Sequence, residues 1–564
     1  MNVPPFARCA AHALAALLTA ATAYAQTTVA APAARLYPTV AAPGETVWLI
    51  NSGLPDQGRV WIGAQVTPYT RDRPSGWLAF TVPERAAGGP QTLGLNGPAP
   101  QAALTLTVLD RESRAQDLLA YVPPAAVNRL RSTFPARLRE LSASCARTRC
   151  PEQVQAVIAR LGALSLPPFT PLDTTGRPPA PPSPVVGRPP LGLPTPPAPA
   201  AAPVVPDLRA LPQQPPALVG GRTSGICSAL TATLPTAGLP AGQVITLLST
   251  LFGPDLQVDP TGYGHPDEGA APYRQVAPAE LLSRILGFRG GNGKGVTVHI
   301  LDTADGRSDP FVAAPPPNYY GELYPGRPGH GRVIAQITQA AAPNATVVNR
   351  AVCDPGGRCS TLKVAQALCA VAAEARRGGR HVVNLSAGGP YPVRGLHLAL
   401  QEVTGAGVPV VASYGNRDDC ADLRAGDRCW HYPADWSADF ATGPAVAFGK
   451  SSAQPTLLFS VAGWDVATRQ LATYNRGVGT PGVLVLPPGV QAPGEFWVGS
   501  FPYFGSSFAA PVVSGLLANW MTCRAGVPLL PLVAVPGQVP LRGPGRTKAR
   551  TAVRAFPVGT LLTR

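Results

Sequence analysis

The chain has 564 residues, of which 45% are hydrophobic and 14% are charged. At about 100–200 residues per domain, this length predicts two to four domains and allows a full-sized hydrophobic core. The 68 prolines are more than double the usual share of about 5%, which excludes one continuous globule and a long coiled coil. The 59 glycines follow no Gly-X-Y period, which excludes collagen.

The formal net charge of +15 raises the question of a nucleic-acid partner. Only four of the 46 basic residues are lysines. The basic residues are scattered, apart from the tail around 542–554, and no nucleic-acid-binding module is recognisable. We therefore expect no nucleic acid among the partners.

The N-terminus has the layout of an export signal. Arg8 precedes the mostly apolar run Ala10–Ala23, and Ala23-Tyr24-Ala25 provides a small-residue cleavage site;. The alternative is a transmembrane anchor, but the run is shorter than the roughly 20 residues that span a bilayer. We expect a signal peptide at 1–25, no transmembrane segment, and a secreted protein that is periplasmic, extracellular or attached to the cell surface.

Nine cysteines remain after this cleavage, in a setting where disulfides persist;. Three pairs are close enough in sequence for local bridges: Cys145/Cys150, Cys353/Cys359 and Cys420/Cys429. Of the remaining Cys227, Cys369 and Cys523, we interpret Cys369 as a buried thiol, because it lies among alanines in a helical stretch;. No cysteine spacing suggests zinc.

The first half of the chain contains two structured regions. Residues 35–110 contain short β-type runs separated by turns, which predict a small β-sandwich;. Its Tyr37-Pro38, Pro43-Gly44-Glu45 and Gly88-Gly89 elements resemble an IPT/TIG or similar immunoglobulin-like domain, which implies a binding module, for example for a cell-surface ligand. Residues 113–165 have leucines at helical spacing, beginning with Leu118 and Leu119, and are predicted to be a helical segment;.

Three further segments flank residues 285–525, two before them and one after them. Residues 166–216 are predicted to be a proline-rich, polyproline-like linker, because 19 of the residues in 167–216 are prolines;. Residues 217–284 are ambiguous and are interpreted as the remnant of a prodomain. Residues 526–564 are predicted to be a flexible basic tail.

Residues 285–525 alternate between apolar β-branched runs and helical stretches. The strands are predicted at 296–301, 346–352, 381–385, 408–413 and 457–461, and the helices at 362–376 and 394–404. This alternation predicts an α/β fold in which helices cover both faces of a parallel sheet. Ligands bind at the carboxyl ends of the strands in such sheets.

Four sequence features would lie at that edge or beside it. Asp302 ends the first strand, although such a residue often only caps a helix. His330 lies between two glycines at the start of an apolar segment, and a turn histidine is the alternative. Asn416 follows the strand that ends in Ser413, where its amide could donate to an oxyanion or merely form a turn.

The fourth feature is the run from Phe504 to Gly515, in which Ser507 begins a helix made of small residues. The free N–H groups and the dipole of a helix start suit an oxyanion. Pro511 lies in the first turn, where its missing N–H costs little. A capped, buried helix would explain the serine but not the whole run.

Together these motifs resemble those of the subtilisin-like serine proteases (subtilases). The run around Ser507 is similar to the family's Gly-Thr-Ser-Met-Ala-x-Pro motif, Asp302-Thr303 to its aspartate box, and His330-Gly331 to its histidine box. Asn416 matches the oxyanion asparagine, and the chain order Asp, His, Ser is that of subtilisin. The stretch 383–390 resembles the strand that pairs with the substrate backbone.

The resemblance implies peptide-bond hydrolysis with Asp302, His330 and Ser507 as the catalytic triad. Asn416 would hold the oxyanion, and Ser386, Ala387 and Gly388 would bind protein or peptide substrates as an added strand. Many subtilases bind calcium, so structural calcium is compatible with the resemblance, although no residues are assigned to it. Zymogen processing within 217–290 is also implied.

The chain departs from the family pattern at Ala304, Arg332, Tyr414, Ser506 and Phe508, and none of these is a triad residue. The alternative interpretation is a catalytically inactive subtilase fold that serves as a binding or adhesion scaffold. A lipase-like esterase is disfavoured, because no Gly-x-Ser-x-Gly elbow follows a strand.

Overall fold

The computed structural model of this chain describes part of its length, and every structural statement below refers to that part. The described stretches are residues 34–50, 53–95, 100–109, 117–172, 225–236, 238–266, 277–278, 292–304, 329–354, 356–421, 423–437, 457–465, 470–486, 488–498, 501–523 and 556–557. The predicted signal peptide, residues 173–216 of the predicted linker, residues 217–224 of the predicted prodomain remnant and almost all of the predicted tail lie outside the described residues.

The first unit is a mostly antiparallel sheet that curls back on itself. Its strands are β1 (Arg35–Tyr37), β2 (Val40–Ala41), β3 (Thr46–Ile50), β4 (Gln57–Ile62), β5 (Gln65–Arg71), β6 (Leu78–Thr81), β7 (Gly89–Leu95) and β8 (Pro100–Val108). Their order is β1-β3-β6-β5-β4-β7-β8-β2. Because β1 and β2 are adjacent in sequence but stand at opposite ends of this order, the sheet closes around its own core, which includes Leu49, Val60 and Leu93. The strands predicted here are confirmed, whereas the immunoglobulin-like assignment stays a prediction.

The second unit combines four strands with three helices. Its elements are β9 (Leu118–Val122), α1 (Val127–Thr148), α2 (Glu152–Gly162), β10 (Thr170–Pro171), β11 (Leu230–Leu234), α3 (Ala241–Phe252) and β12 (Gln257–Pro260). The strands form an antiparallel sheet in the order β10-β11-β9-β12. The central pairing of β9 with β11 joins residues from both sides of the proline-rich segment into one α/β unit.

Two predictions for this part of the chain are therefore wrong in detail. Leu118 and Leu119 do not begin a helix, because the run 118–122 is buried at every position and pairs on both sides as strand β9. The predicted linker begins too early, because Thr170 and Pro171 form β10 against β11 and Leu172 is buried. A short apolar run fits a strand as well as a buried helix, and the pairing partner lies far away in sequence.

The third unit is built on a seven-stranded parallel sheet. Its strands are β15 (Val296–Asp302), β16 (Thr346–Ala351), β18 (Arg380–Leu385), β20 (Val410–Ser413), β21 (Leu458–Trp464), β22 (Val490–Pro493) and β25 (Phe556–Pro557), in the order β16-β15-β18-β20-β21-β22-β25. Two small sheets accompany it, formed by β13 (Gly262–Pro266) between β17 (Cys359–Ser360) and β19 (Ala387–Gly388), and by β14 (Ala277–Pro278) with β23 (Glu495–Val498) and β24 (Phe501–Phe504).

Helices cover both faces of the parallel sheet, as predicted. The helices are α4 (His330–Ala341), α5 (Thr361–Arg377), α6 (Arg394–Gly405) and α7 (Ser506–Cys523). Helices α4 and α7 share one core with Val298 and Ile300 of β15. Helices α5 and α6 share the other core with Leu301, and this core continues without interruption into the second unit. The α/β fold is therefore confirmed.

The second unit is held against the start of α6 by a buried carboxylate. The Asp259 carboxylate of β12 accepts hydrogen bonds from the backbone N–H groups of Arg394 at 3.2 Å and Gly395 at 2.8 Å. The first N–H groups of a helix have no partner within the helix, and a negative charge there is favourable. The first unit makes a separate contact, in which the Trp430 indole N–H donates to the carbonyl of Pro90 at 2.9 Å.

Four disulfides connect eight cysteines of the described residues. The three predicted local pairs, Cys145–Cys150, Cys353–Cys359 and Cys420–Cys429, are confirmed. The interpretation of Cys369 as a buried thiol is wrong, because its sulfur is buried but bonds Cys227, 142 residues away. Sequence spacing identifies only local pairs, whereas this bond is made by packing the second unit on α5. None of the described helices is both long enough and apolar enough to cross a membrane.

The Asp259 contact predicts a pH-dependent stability. Burial raises the pKa of Asp259 from 3.8 to about 6, against the effect of its hydrogen bonds. The folded protein thus binds the Asp259 proton more tightly than the unfolded chain does. The stabilisation from this bound proton is complete below about pH 4 and is lost as the pH rises through about 6. We expect Asp259→Asn to remove this part of the pH dependence, which is at most about 3 kcal/mol.

The measurement is the free energy of urea unfolding between pH 4 and 7, in a Ser507→Ala background that lacks the predicted nucleophile. Glu152→Gln, at an exposed position of α2, is the control and should leave the pH profile unchanged. The same slope in the Asp259→Asn variant and the unmodified chain would contradict the assignment.

Candidate active site

The parallel sheet brings three of the predicted residues to one edge. Asp302 is the last residue of β15, Ser386 directly follows β18, and Asn416 follows β20 after a two-residue turn. These three strands are neighbours in the order β15-β18-β20, and the carboxyl ends of parallel strands meet at the same edge. All three side chains are buried.

Asp302 and His330 form a buried pair. The His330 Nδ1–H donates to Asp302 Oδ1 over 2.8 Å, and both side chains have no measurable exposure. The same oxygen accepts the backbone N–H of Thr303 at 2.7 Å. This arrangement fixes the imidazole tautomer, so that Nε2 is the position left for proton transfer.

The histidine box depends on a glycine for close packing. A Cβ at Gly331 would lie 2.0 Å from the carbonyl oxygen of Thr303. The Gly331 N–H also donates to Thr303 Oγ1 at 2.9 Å. His330 can therefore begin α4 directly beside the end of β15, which is why the His-Gly pair appears in the sequence.

Ser507 lies in the first turn of α7 and is bonded to the end of β18. Its hydroxyl donates to the Ser386 carbonyl at 3.0 Å, and the Ser386 hydroxyl donates to the Ser507 carbonyl at 2.8 Å. The residue after Ser507 packs on the histidine, because the Phe508 and His330 ring centroids are 5.2 Å apart. The start of α7 is thereby brought to both the stretch that is predicted to bind substrate and the imidazole.

Asn416 presents a buried amide toward the same helix start. Its Oδ1 accepts the backbone N–H of Ser506 at 3.0 Å, which fixes the orientation of the amide;. The Nδ2 group is buried and has no hydrogen-bond partner among the described residues. A buried donor without a partner costs about 1–3 kcal/mol, so this amide is suited to an acceptor that arrives with a ligand.

The edge that was predicted to bind substrate is occupied by a segment of the chain itself. Strand β13 lies between β17 and β19, and its His265 and Pro266 pair in antiparallel register with Gly388 and Ala387. The approach is close, since a Cβ at Gly264 would lie 2.0 Å from the Gly388 carbonyl oxygen. We call this groove, lined by β17 and β19, the strand groove.

A charged network behind Asn416 was missed in the sequence. The Arg476 guanidinium donates two hydrogen bonds to Asp435, at 2.6 and 2.7 Å, and both side chains are almost completely buried. The same guanidinium lies 4.4 Å from the Tyr414 ring centre. Tyr414, which departs from the family pattern, thus packs on Arg476 and donates its hydroxyl proton to the Leu486 carbonyl at 2.6 Å. No local motif marks a pair 41 residues apart.

One group of described residues has metal-binding atoms close together, namely His299, Glu374 and His381. Arg350 donates to His299 Nδ1 at 3.3 Å and to Glu374 Oε1 at 2.6 Å. The His299 proton therefore lies on Nε2, which faces His381 Nδ1 at 3.0 Å, and burial together with Arg350 lowers the pKa of His299 to about 2. These contacts form a hydrogen-bonded chain that uses the lone pairs a metal would need. The calcium that the family resemblance allows stays a prediction.

Comparison with known proteins finds a family match for the third unit. Residues 293–526 match the family model described as the subtilase family. Residues 293–526 are a subtilase domain. The M-protease of Shouchella clausii (strain KSM-K16) is 26% identical over 345 residues, which is 55% of this chain and 80% of that protein. Subtilisin BL of Lederbergia lenta is 27% identical over 291 residues, 47% of this chain and 93% of that protein.

Among solved structures, a cold-adapted subtilisin-like serine proteinase aligns at 19% identity with a TM-score of 0.27, covering 41% of this chain and 77% of that chain. The family model and the curated relatives both support a subtilisin-like serine protease.

The buried pair behind the subtilase site gives a stability prediction. Asp435→Leu leaves the Arg476 charge buried without its partner, and we expect the unfolding free energy to fall by about 3–5 kcal/mol. Adding Arg476→Met removes the orphaned charge and should recover most of that loss. The measurement is urea unfolding at pH 7 in the Ser507→Ala background; equal stability of the single and double variants would show that the pair is not a coupled unit.

Proposed function

We propose that this subtilase is an exported serine endopeptidase that hydrolyses peptide bonds through Asp302, His330 and Ser507. The observation that carries the proposal is the unpartnered Asn416 amide, which is buried beside the start of α7, where Ser507 lies. An acyl-transfer site needs such a donor beside its nucleophile. The buried Asp302–His330 hydrogen bond supplies the base and its orienting carboxylate;.

The reaction would proceed in two steps. Ser507 Oγ attacks the scissile carbonyl carbon while His330 Nε2 takes the hydroxyl proton, and the C–N bond then breaks as His330 returns that proton to the leaving amine. Water, activated by the same imidazole, hydrolyses the acyl-enzyme. Asp302 keeps Nδ1 protonated and stabilises the imidazolium. Asn416 donates to the oxyanion, and the loss of one such donor typically costs about 10²–10³ in turnover.

Substrate would bind as an extended strand along Ser386, Ala387 and Gly388. The support for this step is that strand β13 of the chain already pairs with Ala387 and Gly388 in antiparallel register. Recognition through backbone hydrogen bonds accommodates many sequences, with side-chain pockets adding preference. Proteins and peptides are accordingly the proposed substrates.

We further propose that the chain is made as a zymogen in which β13 excludes substrate. The second unit, whose last strand β12 ends at Pro260, would act as the prodomain. Cleavage within 217–290, at a position after β13, would separate the unit in sequence from the subtilase domain. The β13 pairing supports this role because a substrate strand cannot pair with the same edge at the same time.

The competing function is a catalytically inactive scaffold that binds or adheres through this fold. The specific observation in its favour is that the Ser507 hydroxyl proton is donated to the Ser386 carbonyl, which leaves the serine without activation in this state. A Ser507 hydroxyl that always keeps this hydrogen bond to the Ser386 carbonyl would not act as a nucleophile. The two candidates differ in one measurable property, the reactivity of Ser507.

We expect a fluorophosphonate probe to label the processed protein at Ser507, because the probe requires a serine activated by a base and an oxyanion site. Ser507→Ala should abolish both labelling and casein cleavage, whereas Ser132→Ala, at an exposed position of α1, should change neither. Processed protein that stays unlabelled both before and after reduction of the Cys227–Cys369 disulfide would refute the protease and favour the scaffold.

We expect Gly264→Ala to weaken the occupation of the strand groove. The added Cβ would lie 2.0 Å from the Gly388 carbonyl oxygen, so β13 must shift away from its partner. The initial rate of fluorophosphonate labelling of intact, unprocessed protein should rise by at least about tenfold, which corresponds to about 1.4 kcal/mol of lost pairing. Gly162→Ala, where the added Cβ meets nothing within 4 Å, is the matched control. Equal labelling rates in both variants would rule out β13 as the occluding element.

A further inference from the structure

The disulfide between Cys227 and Cys369 differs from the other three in what it connects. Cys227 lies in the short helical turn before β11 of the second unit, and Cys369 is buried in α5 of the subtilase domain. The other three disulfides of the described residues join cysteines 5, 6 and 9 residues apart. Among the described residues, only Cys227–Cys369 links these two units covalently, apart from the chain itself.

The position of this bond along the chain decides what a cut can release. Cys227 precedes the groove strand β13 and Cys369 follows it. A cut anywhere between the end of β13 at Pro266 and the start of β15 at Val296 leaves one cysteine on each product. The N-terminal product would then carry the second unit and β13, still bonded to α5.

The non-covalent contacts near this disulfide also hold the second unit and β13 on the subtilase domain. The backbone N–H of Thr361, at the start of α5, donates to the Thr261 carbonyl just before β13 at 3.0 Å. The second unit and helices α5 and α6 also share one continuous core, and Asp259 holds the start of α6. A tethered segment of this kind rebinds at an effective concentration in the millimolar range, so cutting the chain alone does not make the groove available.

We propose that the processed enzyme is a disulfide-linked two-chain protein in which the N-terminal chain remains as a bound inhibitor of the strand groove. This inference rests on the proposed function, because it concerns the state of the protein after the proposed cleavage. The tether persists in the oxidising compartment that the signal peptide predicts. Full activity then requires, in addition to cleavage of the chain, reduction of the Cys227–Cys369 bond to two thiols by an external dithiol, which is itself oxidised to a disulfide.

The linkage is tested on full-length Ser507→Ala protein, independently of any activity of the chain. A recognition site for an unrelated protease is inserted between residues 279 and 291 and is cut after folding. The cut protein should run as one species without reductant and as two fragments with it, and the Cys227→Ser/Cys369→Ser variant should give two fragments in both cases. The Cys145→Ser/Cys150→Ser variant is the matched control and should behave like the unmodified protein. Two fragments from the unmodified protein without reductant would overturn the linkage.

The inhibitory part is tested on protein with Ser507 intact, cut at the same inserted site. Upon hundredfold dilution, casein cleavage per mole should rise at least tenfold for the Cys227→Ser/Cys369→Ser variant and stay constant for the unmodified protein until a phosphine reductant is added. If the double variant fails to fold, reduction of the folded, cut protein replaces it. Equal activity before and after loss of the tether would overturn the proposal, whereas no activity and no labelling in any sample would count against the protease function alone.

Discussion

Four hydrogen bonds between the start of α7 and the edge of the parallel sheet fix the position of Ser507 relative to Ser386 and Asn416. Two of them are the reciprocal bonds between Ser386 and Ser507. The third runs from the Ser506 N–H to Asn416, and the fourth from the Gly415 N–H to the Ser506 hydroxyl at 3.1 Å. Because backbone groups take part in all four, they fix the helix relative to the carboxyl ends of β18 and β20. The position of Ser507 at the start of α7 therefore depends on the contacts that this helix makes with the edge of the sheet.

Two buried polar atoms at this edge have no hydrogen-bond partner among the described residues, namely Asp302 Oδ2 and Asn416 Nδ2. Folding ordinarily penalises such groups. The Ser386 hydroxyl beside Ser507 is different, because it is held by a chain of satisfied groups. The Asn384 amide donates to Ser386 at 2.8 Å, and the Ser514 hydroxyl donates to Asn384 at 3.0 Å.

The sequence predicted most of the subtilase domain because its signals are local. Strands such as Val296–Asp302 are continuous apolar runs, and helices such as Thr361–Arg377 have a clear period. Asp302, His330, Asn416 and Ser507 could be singled out since each follows a strand or begins a helix. The residues that were missed act across long sequence distances. Arg476 and Asp435 meet only after folding, and so do Cys227 and Cys369.

The second unit shows most clearly why the rest could not be predicted. Strand β10 ends at Pro171 and β11 begins at Leu230, yet Thr170 pairs with Thr231 as neighbouring strands of one sheet. Antiparallel pairing requires only that the two strand ends meet, so the long proline-rich segment between them does not alter the sheet. The composition of that segment, however, divides the unit in sequence and makes its two halves look unrelated.

The consequence of this arrangement is that β9 holds the halves together. Strand β9 pairs with β11 on one side and with β12 on the other. The residues before and after the proline-rich segment therefore cannot separate without exposing the core between α1 and α3. In that core, the Phe134 and Phe252 rings stack with their centroids 5.1 Å apart. A single residue, Thr261, separates the end of β12 from the start of β13. The position of β13 in the strand groove is therefore set by the whole unit and its anchors on α5 and α6, in addition to its own pairs with Ala387 and Gly388.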